Sequence, residues 1–131
     1  MGDDLARLAA QTGVTELPNE IQLGLIVNPI AGLGGTVALK GTDGRGVVAE
    51  ALRRGAIPKS GLRAETFLRE MVKVSLPFRM ICAPRDMGEN IARACDMNFS
   101  VIAPFKPGMS GAAQTGVAAR NIRDAGVDLL I

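Results

Sequence analysis

The chain has 131 residues, of which 47% are hydrophobic and 21% are charged, so it corresponds to one domain that can bury a core. It contains no histidine, tryptophan or tyrosine. Their absence excludes a Ser-His-Asp triad, a histidine-ligated metal site and an aromatic platform for single-stranded nucleic acid within this sequence. Fifteen basic and 13 acidic residues are interspersed and give a formal net charge of +2. We therefore expect no nucleic-acid partner. We also expect no membrane partner, because no run of apolar residues reaches the roughly 18 that a membrane-spanning helix needs.

Residues 1–20 are predicted to form an N-terminal extension with a short helix, because two leucines stand at helical spacing before Gly13 and Pro18 break the pattern. This extension lacks the basic and apolar regions of a signal peptide, so a cytoplasmic protein is expected. Cys82 and Cys95 are separated by a spacing typical of neither a CxxC redox motif nor a zinc knuckle. We expect both to be reduced thiols, and no metal-ligating residue is assigned.

Strands alternate with helices along the rest of the chain, since short apolar runs predict strands and stripes at helical spacing predict helices. The predicted strands cover residues 21–27, 78–83, 99–103 and 127–131. The predicted helices carry apolar stripes at 47–52, 64–72, 87–95 and 118–125. Asp86 and Glu89 resemble a capping box at the start of the third helix. Ser110 can cap the last helix, and Gly126 ends it. This order predicts residues 21–131 as one α/β domain with a Rossmann-like three-layer α/β/α fold and about four parallel strands.

A glycine-rich segment follows the first predicted strand and is the strongest candidate for a binding site. Residues 28–46 hold six of the 16 glycines, and glycines at such a position let backbone N–H groups approach an anion closely. The Rossmann fingerprint fails because Val37 occupies its third glycine position, and the Walker A pattern fails because Leu39 precedes Lys40. The segment is therefore interpreted as a phosphate-binding loop of neither standard type. The alternative is that Asn28-Pro29 only terminates the strand.

A second cluster in the same segment combines a cation, a hydroxyl and a carboxylate. Lys40 can neutralise a phosphate oxygen, Thr42 can donate to another, and Asp43 can face a magnesium ion or a ribose hydroxyl. The alternative is a plain turn at Asp43-Gly44, in which the side chains bond their own backbone.

Two motifs make the chain resemble a known family of kinases. The string LGLIVNPIAGLGG at residues 23–35 and the string LKGTDG at 39–44 look like the N-terminal part of the ATP-NAD kinase family, in the branch described as predicted polyphosphate/ATP-NAD kinases. A looser similarity continues at residues 63–71, at the strand from Phe78 and at 125–131, so it covers most of the chain from about residue 21. The NPxxGxG element is shared with diacylglycerol and sphingosine kinases, whereas its pairing with LKGTDG is more specific.

The resemblance implies a nucleotide-binding domain with an NAD kinase/diacylglycerol kinase-like fold. It implies transfer of a phosphoryl group from ATP or polyphosphate, with magnesium, to the 2′-hydroxyl of NAD, which gives NADP. The residues implied to line the phosphates are Asn28, Gly32, Gly34 and Gly35, with Lys40, Thr42 and Asp43 beside them. In the family, the strand matching residues 127–131 runs into a GGDGT motif with the catalytic aspartate, and an all-β domain follows.

We expect the chain to be truncated before that motif and that domain, so no catalytic residue is assigned and activity in isolation is not expected. In many relatives an acidic residue precedes the threonine that matches Thr115, and Gln114 stands there in this sequence. The alternative is a non-catalytic fragment or degenerate paralogue that acts as a binding or oligomerisation module. In that case the edge of the sheet would favour a homo-oligomer.

Overall fold

The computed structural model describes residues 7, 20–33, 46–109 and 111–131. The elements alternate as predicted: β1 (Ile21–Leu25), α1 (Val47–Arg53), α2 (Ser60–Val72), β2 (Phe78–Cys82), a 3₁₀ turn (Arg85–Met87), α3 (Glu89–Ala94), β3 (Phe99–Val101), α4 (Gly111–Asp124) and β4 (Leu129–Leu130). The predicted N-terminal helix lies outside the described residues except for Arg7 and Glu20, and so does the predicted cap Ser110. No helix in these ranges is long and apolar enough to cross a membrane.

The four strands form one parallel sheet in the order β3-β2-β1-β4. Ile21 pairs with Phe78 and Leu25 with Cys82, and Leu23 pairs with Leu129 on the other side of β1. The prediction of a Rossmann-like α/β fold with about four parallel strands is confirmed at this level. Because the chain moves outward from β1 to β3 and then crosses to β4, the strand order changes direction at β1. Ligands of such sheets bind beyond the carboxyl ends of the strands at this switch point.

Helices cover both faces of the sheet because successive strand residues point to opposite sides. On one face the apolar side chains of β1 and β2 pack against α2 and α3, and the cluster comprises Leu23, Leu25, Val27, Leu68, Met80, Cys82, Ala92 and Cys95. Leu68 of α2 is fully buried, which stabilises the fold by about 1.5–3 kcal/mol. The opposite face carries Gly24, which lies against Ile122 of α4. The three-layer arrangement follows from this division.

Gly24 allows α4 to lie close to the central strand. A Cβ built on this residue would lie 2.9 Å from Leu130 Cδ1 and closer still to Ile122 Cγ2. Ile122 is itself fully buried, as the helical stripe predicted. The absent side chain on β1 therefore sets the distance between α4 and the sheet.

The predicted capping box at Asp86 and Glu89 is wrong. The α-helix begins only at Glu89, after a 3₁₀ turn and Gly88. Glu89 Oε2 instead accepts a hydrogen bond from the N–H of Arg85 at 2.9 Å, and Asp86 Oδ1 accepts one from Asn90 Nδ2 at 2.7 Å. The physical reason is the close approach of this turn to β1, where Val27 N–H donates to Met87 O at 2.8 Å and holds residues 85–88 out of the helix.

Candidate functional site

The segment after β1 begins where backbone hydrogen bonds tie the strand to both neighbours. Ile26 N–H donates to Ile131 O at 2.9 Å, and Val27 N–H donates to Met87 O at 2.8 Å. The chain then turns at Asn28, whose Oδ1 accepts a hydrogen bond from Ile30 N–H at 3.1 Å. The side-chain oxygen therefore stabilises a local turn after the strand. The side-chain NH₂ group of Asn28 has no hydrogen-bond partner among the described residues and remains available to a ligand.

The same turn continues through Gly32 and is anchored by Leu33. Gly32 has φ +71, a conformation that favours glycine. Leu33 is buried against Ala51 of α1 and Ala56, so an apolar contact fixes the turn against the helix that follows. Among the predicted site residues, Asn28 and Gly32 therefore lie in one turn at the carboxyl edge of the sheet. Gly34, Gly35, Lys40, Thr42 and Asp43 lie outside the described residues.

A groove of about 540 Å³ opens beside this turn, between the loops that follow β1, β2 and β3 and the first turns of α4. We call it the carboxyl-edge groove. Its apolar lining is formed by Pro29, Pro84, Met87, Pro104, Phe105, Pro107 and Met109, and its polar side chains are Arg85, Asp86, Lys106 and Gln114. The volume lies in the range of small-molecule sites, and the combination of apolar walls with a few polar groups is typical of such sites.

Arg85 has an unusual conformation in this groove. It adopts φ +53, a backbone conformation that residues other than glycine rarely adopt. Its N–H donates to Glu89 Oε2, while Glu89 Oε1 accepts from Arg93 Nη2 at 3.0 Å. The hydrogen bond from Arg85 N–H is the main reason why the pKa of the Glu89 carboxyl lies below its ordinary value, and Arg93 adds to it. Glu89 therefore fixes the backbone of Arg85.

The Arg85 guanidinium and the Lys106 ammonium make no hydrogen bond or salt bridge to any part of the chain that the structure describes. Both residues are exposed. Several other basic side chains, in contrast, are paired with carboxylates: Arg53 and Arg54 with Glu50, Arg69 with Glu65, Lys73 with Glu70, Arg93 with Glu89 and Arg123 with Asp124. The groove therefore holds two cationic groups that are available to an anion.

A smaller cleft of about 370 Å³ lies on the other side of the turn, next to the start of α2, and we call it the α2 cleft. Gly32 and Leu33 line it together with Lys59, Ser60 and Arg63. Neither Lys59 nor Arg63 forms a salt bridge within the described ranges. Ser60 Oγ is buried and has no hydrogen-bond partner there. Basic side chains thus line both cavities that border the turn at residues 29–33.

Arg85 and Lys106 were missed in the sequence, although a signal for them exists. They follow β2 and β3 by three and five residues, respectively. Loops at the carboxyl ends of parallel strands converge on one edge of the sheet. A search of every such loop for basic residues would have found both, whereas the glycine content drew attention to the first loop alone.

The described residues offer little to a metal ion or to a nucleophile-dependent reaction. No group of three or more His, Cys, Asp or Glu residues that could hold a metal is found among them. Asp86 is the carboxylate that lines the groove. Cys82 is fully buried, and desolvation raises the pKa of its thiol to about 12, so it stays protonated at neutral pH. What the site provides is positive charge, backbone and apolar surface.

Comparisons with models of protein families, with curated proteins and with solved structures gave no match to the chain. A parallel α/β sheet supports many unrelated activities, so the fold alone does not assign one. The groove, the cleft and the turn between them are therefore the basis for the functional proposal.

Proposed function

We propose that this chain is the phosphate-binding N-terminal domain of an NAD kinase-like phosphotransferase, with the NAD kinase/diacylglycerol kinase-like version of the Rossmann-like fold. In this proposal the full enzyme transfers a phosphoryl group from ATP or polyphosphate to NAD and forms NADP. The resemblance of residues 23–44 to that family gives the reaction class. The structure supports the binding role through the surroundings of the turn after β1.

The observation that carries the proposal is a set of four basic side chains around that turn, none of which forms a salt bridge among the described residues. Lys59 and Arg63 line the α2 cleft on one side, and Arg85 and Lys106 line the carboxyl-edge groove on the other. Lysine and arginine are the side chains that bind phosphate oxygens through charge-assisted hydrogen bonds. A phosphate group at the turn would therefore find cationic donors on either side.

Phosphoryl transfer depends mostly on positioning and on electrostatic stabilisation of the transferred group. Within the proposal, the basic side chains bind and orient phosphate oxygens, and the NH₂ group of Asn28 donates to one of them. The described residues do not form a cage for magnesium, because Asp86 is a single carboxylate in the groove and Asp43 lies outside these ranges. No transfer step is therefore assigned to this chain. We expect it to bind its ligands without turnover.

Nuclear magnetic resonance tests the binding role directly. ¹⁵N-labelled protein is titrated with ATP, NAD and tripolyphosphate, each with and without magnesium. Saturable shifts are expected at the amides of Asn28, Gly32, Arg85 and Lys106. The absence of shifts at millimolar ligand would contradict the proposal, as would shifts confined to the opposite edge of the sheet near Lys73 and Phe78.

A second candidate function is a non-catalytic binding or oligomerisation module, and the edge of the sheet favours it. β4 pairs with β1 alone among the described strands, and Leu129 and Leu130 are 55% and 41% exposed. An apolar strand at a sheet edge is a template for pairing with a second copy. Light scattering would give the mass of a dimer if this role applies, and a strictly monomeric protein would count against it.

A further inference from the structure

One side of α2 presents an exposed aromatic residue to solvent. Residues 67 and 69 stand on opposite sides of the fully buried Leu68, because successive residues of an α-helix are about 100° apart. Arg69 lies on the side of α3, since its Nη2 donates to Ala94 O at 3.4 Å. α3 packs on β2 and β3, so the opposite side of α2 faces β4. Phe67 therefore lies on the β4 side, and it is 45% exposed.

Leu129 of β4 lies on the same face of the sheet as α2. It pairs with Leu23, which belongs to the core cluster beneath α2, and paired residues of neighbouring strands point to the same side. Leu129 is nevertheless 55% exposed, and Ile131 is only partly buried against this cluster. The surface over β4 is therefore an open apolar strip beside Phe67. We call it the α2–β4 groove.

The groove has the width of one α-helix. α2 packs over β1 and β2, and strands are about 4.8 Å apart, so a helix over β4 would lie about 7–10 Å from α2. Packed helices are separated by about 8–10 Å. Such a helix would cover Phe67 and Leu129 and remove their apolar surface from water, which is favourable.

We propose that residues 3–12 of this chain bind in the α2–β4 groove as a helix. Leu5 and Leu8 stand at helical spacing, and Arg7, which the structure describes, is helical and exposed. Residues 13–20 connect this segment to β1 and can span up to about 26 Å. The covalent connection gives the segment an effective concentration on the order of millimolar, so a small apolar contact is sufficient for binding. The proposal does not depend on the phosphate-binding role.

The direction of the chain adds a complementary charge. α2 runs toward the end of the sheet at which β2 begins, and a helix that leads into β1 runs the same way. With Leu8 beside Phe67, Asp4 lies beside Arg63, because the residues of each helix are four apart. Arg63 forms no salt bridge within the described ranges, and the first turn of α2 has no acidic residue, so a carboxylate is favourable there. Lys59 remains as a cation of the α2 cleft.

Paramagnetic relaxation in nuclear magnetic resonance spectra tests this contact in the whole chain. A nitroxide is attached to Ala10→Cys, which helical spacing places opposite Leu5 and Leu8, and both native cysteines are buried. We expect the label to broaden the amide signals of Phe67 and Leu129, while those of β3 stay sharp. The absence of broadening at both residues would overturn the proposal.

A mixed sample identifies which chain occupies the groove. Nitroxide-labelled chain without ¹⁵N is added to ¹⁵N-labelled chain without nitroxide, so that only contacts between two copies cause broadening. We expect the signals of Phe67 and Leu129 to stay sharp in this mixture. Broadening as strong as in the singly labelled chain would overturn the proposal and indicate a second copy in the groove.

Variants with matched controls test the side chains. Leu8→Gln should remove the broadening, and Arg7→Gln should retain it. Phe67→Gln should also remove it, whereas Val72→Gln should not, because Val72 is 56% exposed on the side of Arg69. Equal broadening in Leu8→Gln and Arg7→Gln would overturn the assignment.

Charge reversal tests the direction of the segment. Asp4→Lys should weaken the broadening at Phe67, because it places a second cation beside Arg63. Adding Arg63→Glu to that variant should restore the broadening. If the double variant shows no more broadening than Asp4→Lys alone, the parallel placement of the segment beside α2 is wrong.

Discussion

Gly88→Ala is the substitution that tests most sharply how the fold builds the carboxyl-edge groove. Gly88 adopts φ +152 between the 3₁₀ turn and α3. A Cβ at this position would lie 3.1 Å from the carbonyl oxygen of Leu25 and 3.4 Å from that of Ala83. These atoms cannot easily move, because Leu25 O accepts from Ala83 N–H at 3.0 Å and Ala83 O accepts from Glu89 N–H at 2.9 Å.

The expected cost has two parts. A backbone conformation that residues other than glycine rarely adopt costs about 1–3 kcal/mol, and crowding against fixed backbone atoms adds to it. We therefore expect Gly88→Ala to lower the free energy of unfolding by about 2–4 kcal/mol. Because Arg85 belongs to the same turn, the variant should also bind ATP more weakly than the wild-type protein under conditions in which both are folded.

Urea denaturation followed by circular dichroism measures the free energy of unfolding. Gly116→Ala in α4 is the matched control, because the nearest heavy atom to its new Cβ is Arg120 Nη1 at an ordinary 3.6 Å. That control should be more stable by about 0.5–1 kcal/mol, since alanine is the better helix former. A Gly88→Ala variant as stable as the wild-type protein would refute the close approach between this turn and β1.

Three further predictions follow from the contacts around the site. Gly24→Ala should destabilise the fold by about 1–3 kcal/mol through overpacking. Ile122→Ala should then cost less stability in the Gly24→Ala background than in the wild-type protein, because Ile122 Cγ2 is the atom that the new Cβ would meet first. Additive costs of the two substitutions in a denaturation cycle would contradict this contact. Asn28→Ala should lose about 0.5–1.5 kcal/mol of stability, because it removes the hydrogen bond that Asn28 Oδ1 accepts from Ile30 N–H. Asn28→Asp keeps the acceptor, so it should retain stability but bind phosphate more weakly. Equal phosphate affinity of Asn28→Asp and the wild-type protein would count against a ligand at the NH₂ group. Glu89→Gln should be less stable than the wild-type protein at pH 7, and this difference in stability should vanish as pH falls through 4.5 and below. The reason is that the pKa of the Glu89 carboxyl is lowered from 4.5 in the folded state, so the stabilisation by its charge is lost on protonation. A difference in stability that does not change with pH would show that the charge of Glu89 has no role.

Much of the fold could be predicted because the decisive signals are local. The apolar runs before Asn28 and from Phe78 are the two central strands, and the stripe through Leu68 is the buried face of α2. The outer strands are shorter than predicted: β4 comprises Leu129–Leu130 and both residues are exposed, because it has β1 on one side alone among the described strands. An edge strand and a central strand have the same local pattern, so their difference is a tertiary effect.

The site was less predictable because its parts meet only in three dimensions. The capping box at Asp86 failed because hydrogen bonds from the end of β1 hold residues 85–88 in a separate turn. Arg85 and Lys106 belong to different loops, and nothing in the local sequence relates them. The segment after β1 was proposed as a site because of its glycines, and its position at the carboxyl edge of the sheet followed from the order of strands and helices.

The central claim, that basic residues at the carboxyl edge of the sheet bind phosphate groups, is tested most directly by the thermal stability of paired double variants with ATP and magnesium. A ligand at 100 times its Kd stabilises the folded state by about 2.7 kcal/mol, so the Tm of the wild-type protein should rise with ATP concentration. The control carries Asp96→Gly and Lys73→Ala, because Asp96 has φ +52, close to the +53 of Arg85, and neither residue lines the groove. This control should show the same rise, and the variant with Arg85→Gly and Lys106→Ala should show little or none. An equal rise in both double variants, or no rise in the wild-type protein, would contradict the account.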